Sequence, residues 1–130
     1  MTTSQFSDSS NPLIGGWKLL DAYLLKDNGE KEPIFPGLRG HILFLSDRMF
    51  CFTARNGADG TPDGVLLVYA GACKMTEDHF ATTVDLTSID GFLGTTQKRF
   101  FEIRGDILDI RAAGPDGKPM QSHLIWQRAK

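Results

Sequence analysis

The run from Thr95 to Arg104 places a permanent positive charge on what strand alternation makes an apolar face. Lys98, Glu102 and Arg104 fall together on one side, leaving Gln97, Arg99, Phe101 and Ile103 on the other. A buried guanidinium needs an anion or several acceptors to offset its desolvation. Arg99 therefore reads as an anchor for a ligand carboxylate, enolate or carbonyl oxygen, with Gln97 as a neutral donor beside it. The competing readings are an internal ion pair with Asp21 or Glu102, or a different strand phase. Tyr69 and Tyr23 also fall on inward faces, where a phenol combines apolar area with one donor and acceptor. Core packing with the hydroxyl at a rim is the alternative for both. His41 lies in a strongly apolar run and is the candidate acid or base, against the plainer reading of a half-buried, hydrogen-bonded histidine.

Other chemistries find little support. His79 and His123 are not clustered with His41 or spaced as metal ligands, and both read as solvated surface residues, so neither a metal nor another cofactor is expected. No serine or cysteine has an activating context, and the glycine pairs form no phosphate loop. The Asp-rich segment from Asn56 to Gly64 does not have EF-hand spacing and reads as a lid beside a barrel mouth. Cys51 and Cys73 sit in apolar runs and read as two reduced, buried thiols. With 14 basic and 16 acidic residues interspersed, the net charge of -2 provides no footprint for nucleic acid. The polar stretch Met1–Pro12 has no apolar core of a signal or membrane anchor, so residues 1–11 are expected to be a flexible arm pinned by Phe6, and the cytoplasm is the default compartment.

Positioning these residues requires strands. Fourteen glycines and six prolines lie mostly between apolar runs, which argues for many short elements joined by turns. About eight strands result, at 14–26, 38–45, 48–55, 65–75, 79–87, 95–104, 107–112 and 119–128, with a single helical turn at Ile89–Leu93. Hairpin-type links between them indicate an antiparallel up-and-down barrel or a sandwich. Alternation puts Leu67, Tyr69, Gly71, Cys73 and Met75 inside, as it does Phe80, Thr82, Val84 and Leu86, Leu108 and Ile110, and Met120, Ser122, Leu124 and Trp126. The second run, Gly40 to Leu45, is apolar at both parities and cannot be oriented. Leu20, Leu24, Phe100 and Ile125 land outside, where the arm or a second subunit would cover them, and a homodimer is one consequence.

The segment Leu13-Ile14-Gly15-Gly16-Trp17-Lys18-Leu19 resembles the Gly-x-Trp start of lipocalins and fatty-acid-binding proteins, in which the Trp plugs one barrel end. Leu124-Ile125-Trp126-Gln127-Arg128 resembles their closing strand, whose arginine stacks on that Trp. Gly40–Phe50, Tyr69-Ala70-Gly71 and Gly94–Glu102 are similar to the bacterial and fungal lipocalin-like domain family, so the resemblance spans residues 12–129. It implies an all-β, lipocalin-like, antiparallel up-and-down barrel from residue 12 to residue 130. In that family the fifth strand often carries two histidines before a valine, whereas Thr82 and Thr83 precede Val84 here, which weakens any carry-over of chemistry.

The expectation is a calyx holding an apolar small molecule, polyketide-, terpenoid- or lipid-like, lined by Leu67, Tyr69, Met75, Phe80, Val84, Arg99, Phe101 and Leu108, with Tyr23 and Gln97 contributing polar contacts. The alternative is a cofactor-free cyclase, isomerase or dehydratase of secondary metabolism, in which Arg99 and Tyr69 stabilise an oxyanion and His41 shuttles the proton. The third reading is an accessory dimer with a filled core.

Overall fold

The computed structural model describes residues 11–34, 36–56 and 62–129, with side chains for all of these except 56 and 62–66. The arm at 1–10 with its Phe6, and the centre of the segment read as a lid, lie outside the described residues.

Every predicted strand is present. They are β1 (Gly15–Leu25), β3 (Leu38–Phe44), β4 (Arg48–Asn56), β5 (Pro62–Met75), β6 (His79–Thr87), β7 (Thr96–Arg104), β8 (Ile107–Ala112) and β9 (Ser122–Arg128). Neighbours in sequence pair antiparallel, and β9 returns to pair with β1, so these strands close into an up-and-down barrel. The extra strand β2 (Lys31–Pro33) escapes sequence reading because it is short, polar and wholly exposed. It pairs with Tyr23–Leu25, whereas β3 takes Gly15–Lys18 on the same edge of β1. The residues from Ile89 to Leu93 form a turn, with the Phe92 amide donating to Ile89 O at 3.2 Å, and not a helix.

Two bulges reset the inside–outside alternation. In β1, Leu19 faces Trp126 but Asp21 faces Ile125, so Leu20 is an extra residue and stands 52% exposed. Beyond it Ala22 turns inward opposite Leu124, and Tyr23 turns outward to stack on His123 with ring centroids 5.0 Å apart. The inward placement of Tyr23 and the outward placement of Leu24 are thereby corrected. In β6 the register jumps at Asp85, between Gly71↔Val84 and Ala70↔Leu86, and Leu86 is left 58% exposed where alternation alone places it inside. Gly71 makes that bulge possible, because a Cβ there would come within 1.9 Å of Thr83 O. Met120 is also corrected: it lies before β9, in the turn, and is 44% exposed.

One end of the barrel is packed solid. Leu13, Trp17, Phe44, Met49, Met75 and Leu108 are all buried there. The segment before β1 is held across that end by side-chain and backbone bonds: Trp17 Nε1 donates to Leu13 O at 3.0 Å, and Leu13 N donates to Asn11 Oδ1 at 2.9 Å. Asn11, taken from sequence as the last arm residue, is buried with its amide against Met75 Sδ at 3.3 Å. Arg128 completes the seal, its guanidinium 4.2 Å over the Trp17 ring while Nη2 donates to Pro12 O at 2.9 Å. The expected stacking of the last-strand arginine on the first-strand tryptophan is therefore present. Replacing Arg128 by Met is expected to cost about 1–3 kcal/mol, from the lost cation–π contact and charged hydrogen bonds. Urea unfolding with retained β-sheet circular dichroism checks this, and an unchanged midpoint would remove Arg128 from the closure.

Candidate functional site

Above this packed end the barrel opens into a cavity of about 190 Å³. Its walls come from β3 (Leu38, Ile42), β4 (Cys51, Thr53), β5 (Leu67, Tyr69), β6 (Phe80), β7 (Arg99), β8 (Ile110) and β9 (Leu124, Trp126). Ile89 and Phe92, from the turn between β6 and β7, complete the lining, and Phe92 meets the Tyr69 ring edge-on at 5.7 Å.

Of the residues singled out from sequence, Leu67, Tyr69, Phe80 and Arg99 meet at this cavity. Gln97 stands beside it. A relay of hydrogen bonds runs from the turn to the guanidinium: Thr95 Oγ1 donates to Phe92 O at 2.6 Å, Gln97 Nε2 to Thr95 Oγ1 at 2.8 Å, and Arg99 Nη1 to Gln97 Oε1 at 3.4 Å. Met75, Val84 and Leu108 are buried in the wall or packed end and do not line the cavity, and Phe101 packs against the core beside Phe80. Tyr23 and His41 are on the outer surface. His41 is exposed because Gly40, Ile42 and Phe44 take the inner face of β3. His123, read as solvated, does point outward but is buried, with Nδ1 2.9 Å from both oxygens of Asp109.

The lining residues that sequence reading did not assign to the site fall into three groups. Leu38, Ile42, Cys51 and Thr53 belong to strands apolar on both faces, where only the observed register β3–β4–β5 settles which side is inner. Ile110, Leu124 and Trp126 were legible as inward, but nothing local distinguishes a cavity wall from a filled core. Ile89 and Phe92 reach the mouth only because their segment turns instead of coiling.

No family model matches the chain, and no curated protein matches it. Among solved structures, a de novo designed fluorescence-activating beta barrel is similar over 95% of this chain and 100% of that one, at 15% identity and a TM-score of 0.45.

The electrostatics of the cavity are simple. Burial pushes the Cys51 thiol up to about 12, with the nearby Arg99 charge pulling the other way. Burial likewise raises Cys73 to about 11, opposed by the Thr82 hydroxyl, and raises the Tyr69 phenol above its ordinary range, where Cys51 adds to the rise and Arg99 opposes it. Both thiols are free and all three groups are neutral at pH 7. Arg99 lies 5.9 Å over the Tyr69 ring and donates to Lys98 O at 3.1 Å. Trp126 is buried, and its indole N–H makes no hydrogen bond among the described residues.

Because the native barrel holds its thiol protons up to about 11 and 12, while the unfolded chain releases them near 9.0, the folded state binds more protons across that window. Their contribution to stability is intact below the lower value and is lost as pH rises through it. The Cys51→Ala, Cys73→Ala double variant is accordingly expected to show a flatter decline in stability than the parent above about pH 9. Denaturant midpoints measured from neutral to alkaline pH check this, and identical slopes would show that the thiols are not protected by burial.

Proposed function

We propose that this chain is a lipocalin-like binding barrel that takes a small, largely apolar molecule into its upper cavity. The observation that carries the reading is an apolar cavity at the open end of a barrel whose other end is packed solid. Binding sites of small molecules characteristically join apolar walls to a few placed polar groups. Here those groups belong to Arg99 and Tyr69. A cavity of about 150 Å³ lined by apolar side chains accommodates benzene, so 190 Å³ suits a molecule of one or two rings, or a compact terpenoid, better than a long acyl chain.

Cofactor-free cyclisation, isomerisation or dehydration has less support. Arg99 can stabilise an oxyanion, but the described lining includes neither a carboxylate nor an imidazole to carry a proton, and His41 faces away from the cavity. Sequestration needs no such group.

Naphthalene, titrated calorimetrically, is a suitable neutral probe. Leu124→Phe fills part of the cavity and is expected to weaken naphthalene binding about ten-fold or more while the barrel remains folded, since core positions tolerate added volume at about 1–3 kcal/mol. Unchanged affinity in a folded Leu124→Phe protein, or a parent that binds neither naphthalene nor cinnamamide nor cinnamate, would sink the proposal. His41→Ala is expected to leave naphthalene affinity unchanged, and a large loss would place His41 at the site after all.

A further inference from the structure

Building on the binding reading, we infer that the guest is an organic acid: an apolar body held in the cavity with its carboxylate on Arg99. The argument starts from charge balance. Among the described residues, lysines and arginines that meet a carboxylate do so away from the cavity: Arg48 with Asp85 at 3.2 Å, Lys26 with Glu32 at 3.3 Å, Arg128 with Asp106 at 3.5 Å, and Arg104 with Glu102, while Asp109 and Asp78 lie against His123 and His79 at 2.9 and 2.7 Å. Arg99 is different. It is half-buried at an apolar cavity, and every acceptor it meets among the described residues is neutral: Gln97 Oε1, Lys98 O and Tyr69, through both its ring and its hydroxyl.

The carboxylates that sequence offered as internal partners are committed elsewhere. Glu102 pairs with Arg104 on the outer face, and Asp21, turned outward by the β1 bulge, accepts from the Ala22 amide at 2.9 Å. Tyr69 and Cys51 do not supply the missing charge, because burial keeps both protonated. Among the described residues the cavity thus presents one uncompensated positive charge, and the planar guanidinium fork matches the two oxygens of a carboxylate better than a single neutral acceptor.

The surroundings make that charge selective. Phe92 and Ile89 cover the mouth beside Tyr69, and an ion pair formed beneath apolar cover is screened less than one on open surface. The Phe92–Thr95–Gln97 relay also ties the orientation of Arg99 to the turn that supplies this cover. A bound carboxylate and a seated Phe92 would therefore favour one another.

Cinnamate and cinnamamide test the inference, because they share shape and size and differ in charge. At neutral pH and low salt the parent protein is expected to bind cinnamate about ten- to a hundred-fold more tightly than cinnamamide, the range for a charge-assisted hydrogen-bonded pair. Arg99→Met is expected to abolish the difference while β-sheet circular dichroism and a cooperative unfolding transition show that the variant is folded, and Arg99→Gln serves the same purpose if the Met variant does not fold. Equal binding of the two compounds by the parent, or a preference that survives loss of Arg99, would overturn the assignment of an acid while leaving the apolar-binding reading intact. Failure of naphthalene, cinnamamide and cinnamate alike to bind would bring down both.

Discussion

Everything in this barrel depends on the last strand finding the first. An open sheet of this length would leave two unpaired edges, and closure of β9 onto β1 removes them. The closure is reinforced at the point where Trp17 and Arg128 stand opposite one another in the register, with the arginine stacked on the indole and bonded to the chain that crosses the barrel end. The same contact recruits Leu13 and Asn11 into the core, so that the end plug, the barrel seam and the entry of the chain are one structure.

The cavity is a consequence of how that plug is built. An eight-stranded barrel has an interior just wide enough to be filled by side chains or to hold one small ligand. Trp17, Leu13, Phe44, Leu108 and the sulfur-bearing side chains Met49 and Met75 are buried together, and the volume is exhausted at that end. Toward the mouth, Gly40, Thr53 and Cys51 take inner positions on neighbouring strands and leave space between them. Gly40 is itself compelled, since a Cβ there would meet Thr53 Cγ2 at 2.7 Å and Phe52 O at 2.9 Å. Close strand approach therefore dictates a residue that also helps to keep the interior from filling.

The low dielectric created by this arrangement acts in opposite directions on the groups within it. It holds two thiols and a phenol in their neutral forms, which makes them inert as bases and nucleophiles and keeps the walls effectively apolar. For Arg99, whose charge cannot be removed, the same environment leaves a cation that solvent and neutral acceptors serve in part. The cavity is thus chemically passive along its walls and polarised at one point.

How far this could be read from the chain varies strand by strand. Where one face is charged, alternation is decisive: Lys98, Glu102 and Arg104 place Arg99 inward, and Asp109 and Arg111 do the same for Leu108 and Ile110. Where both faces are apolar, as in Gly40–Phe44 and Phe50–Thr53, parity carries no information, because water does not distinguish one side from the other until the sheet rolls up. Bulges defeat the pattern altogether. Nothing around Leu20 or Asp85 announces an extra residue, yet each reverses the facing of the rest of its strand, moving Tyr23 and Leu86 to the surface.

By itself the sequence determined the strands, the turns between them, the polarity of those strands with one wet face, and the Trp17 and Arg128 termini able to meet. These are local properties of backbone and solvation, set by residues within a few positions of one another. Closure, the two register shifts and the division of the interior into a filled end and an empty one were decided only by tertiary structure. Each depends on pairing between strands far apart in the chain, where hydrogen-bond register and shared interior volume, and not any residue's own preference, determine which side chains face one another.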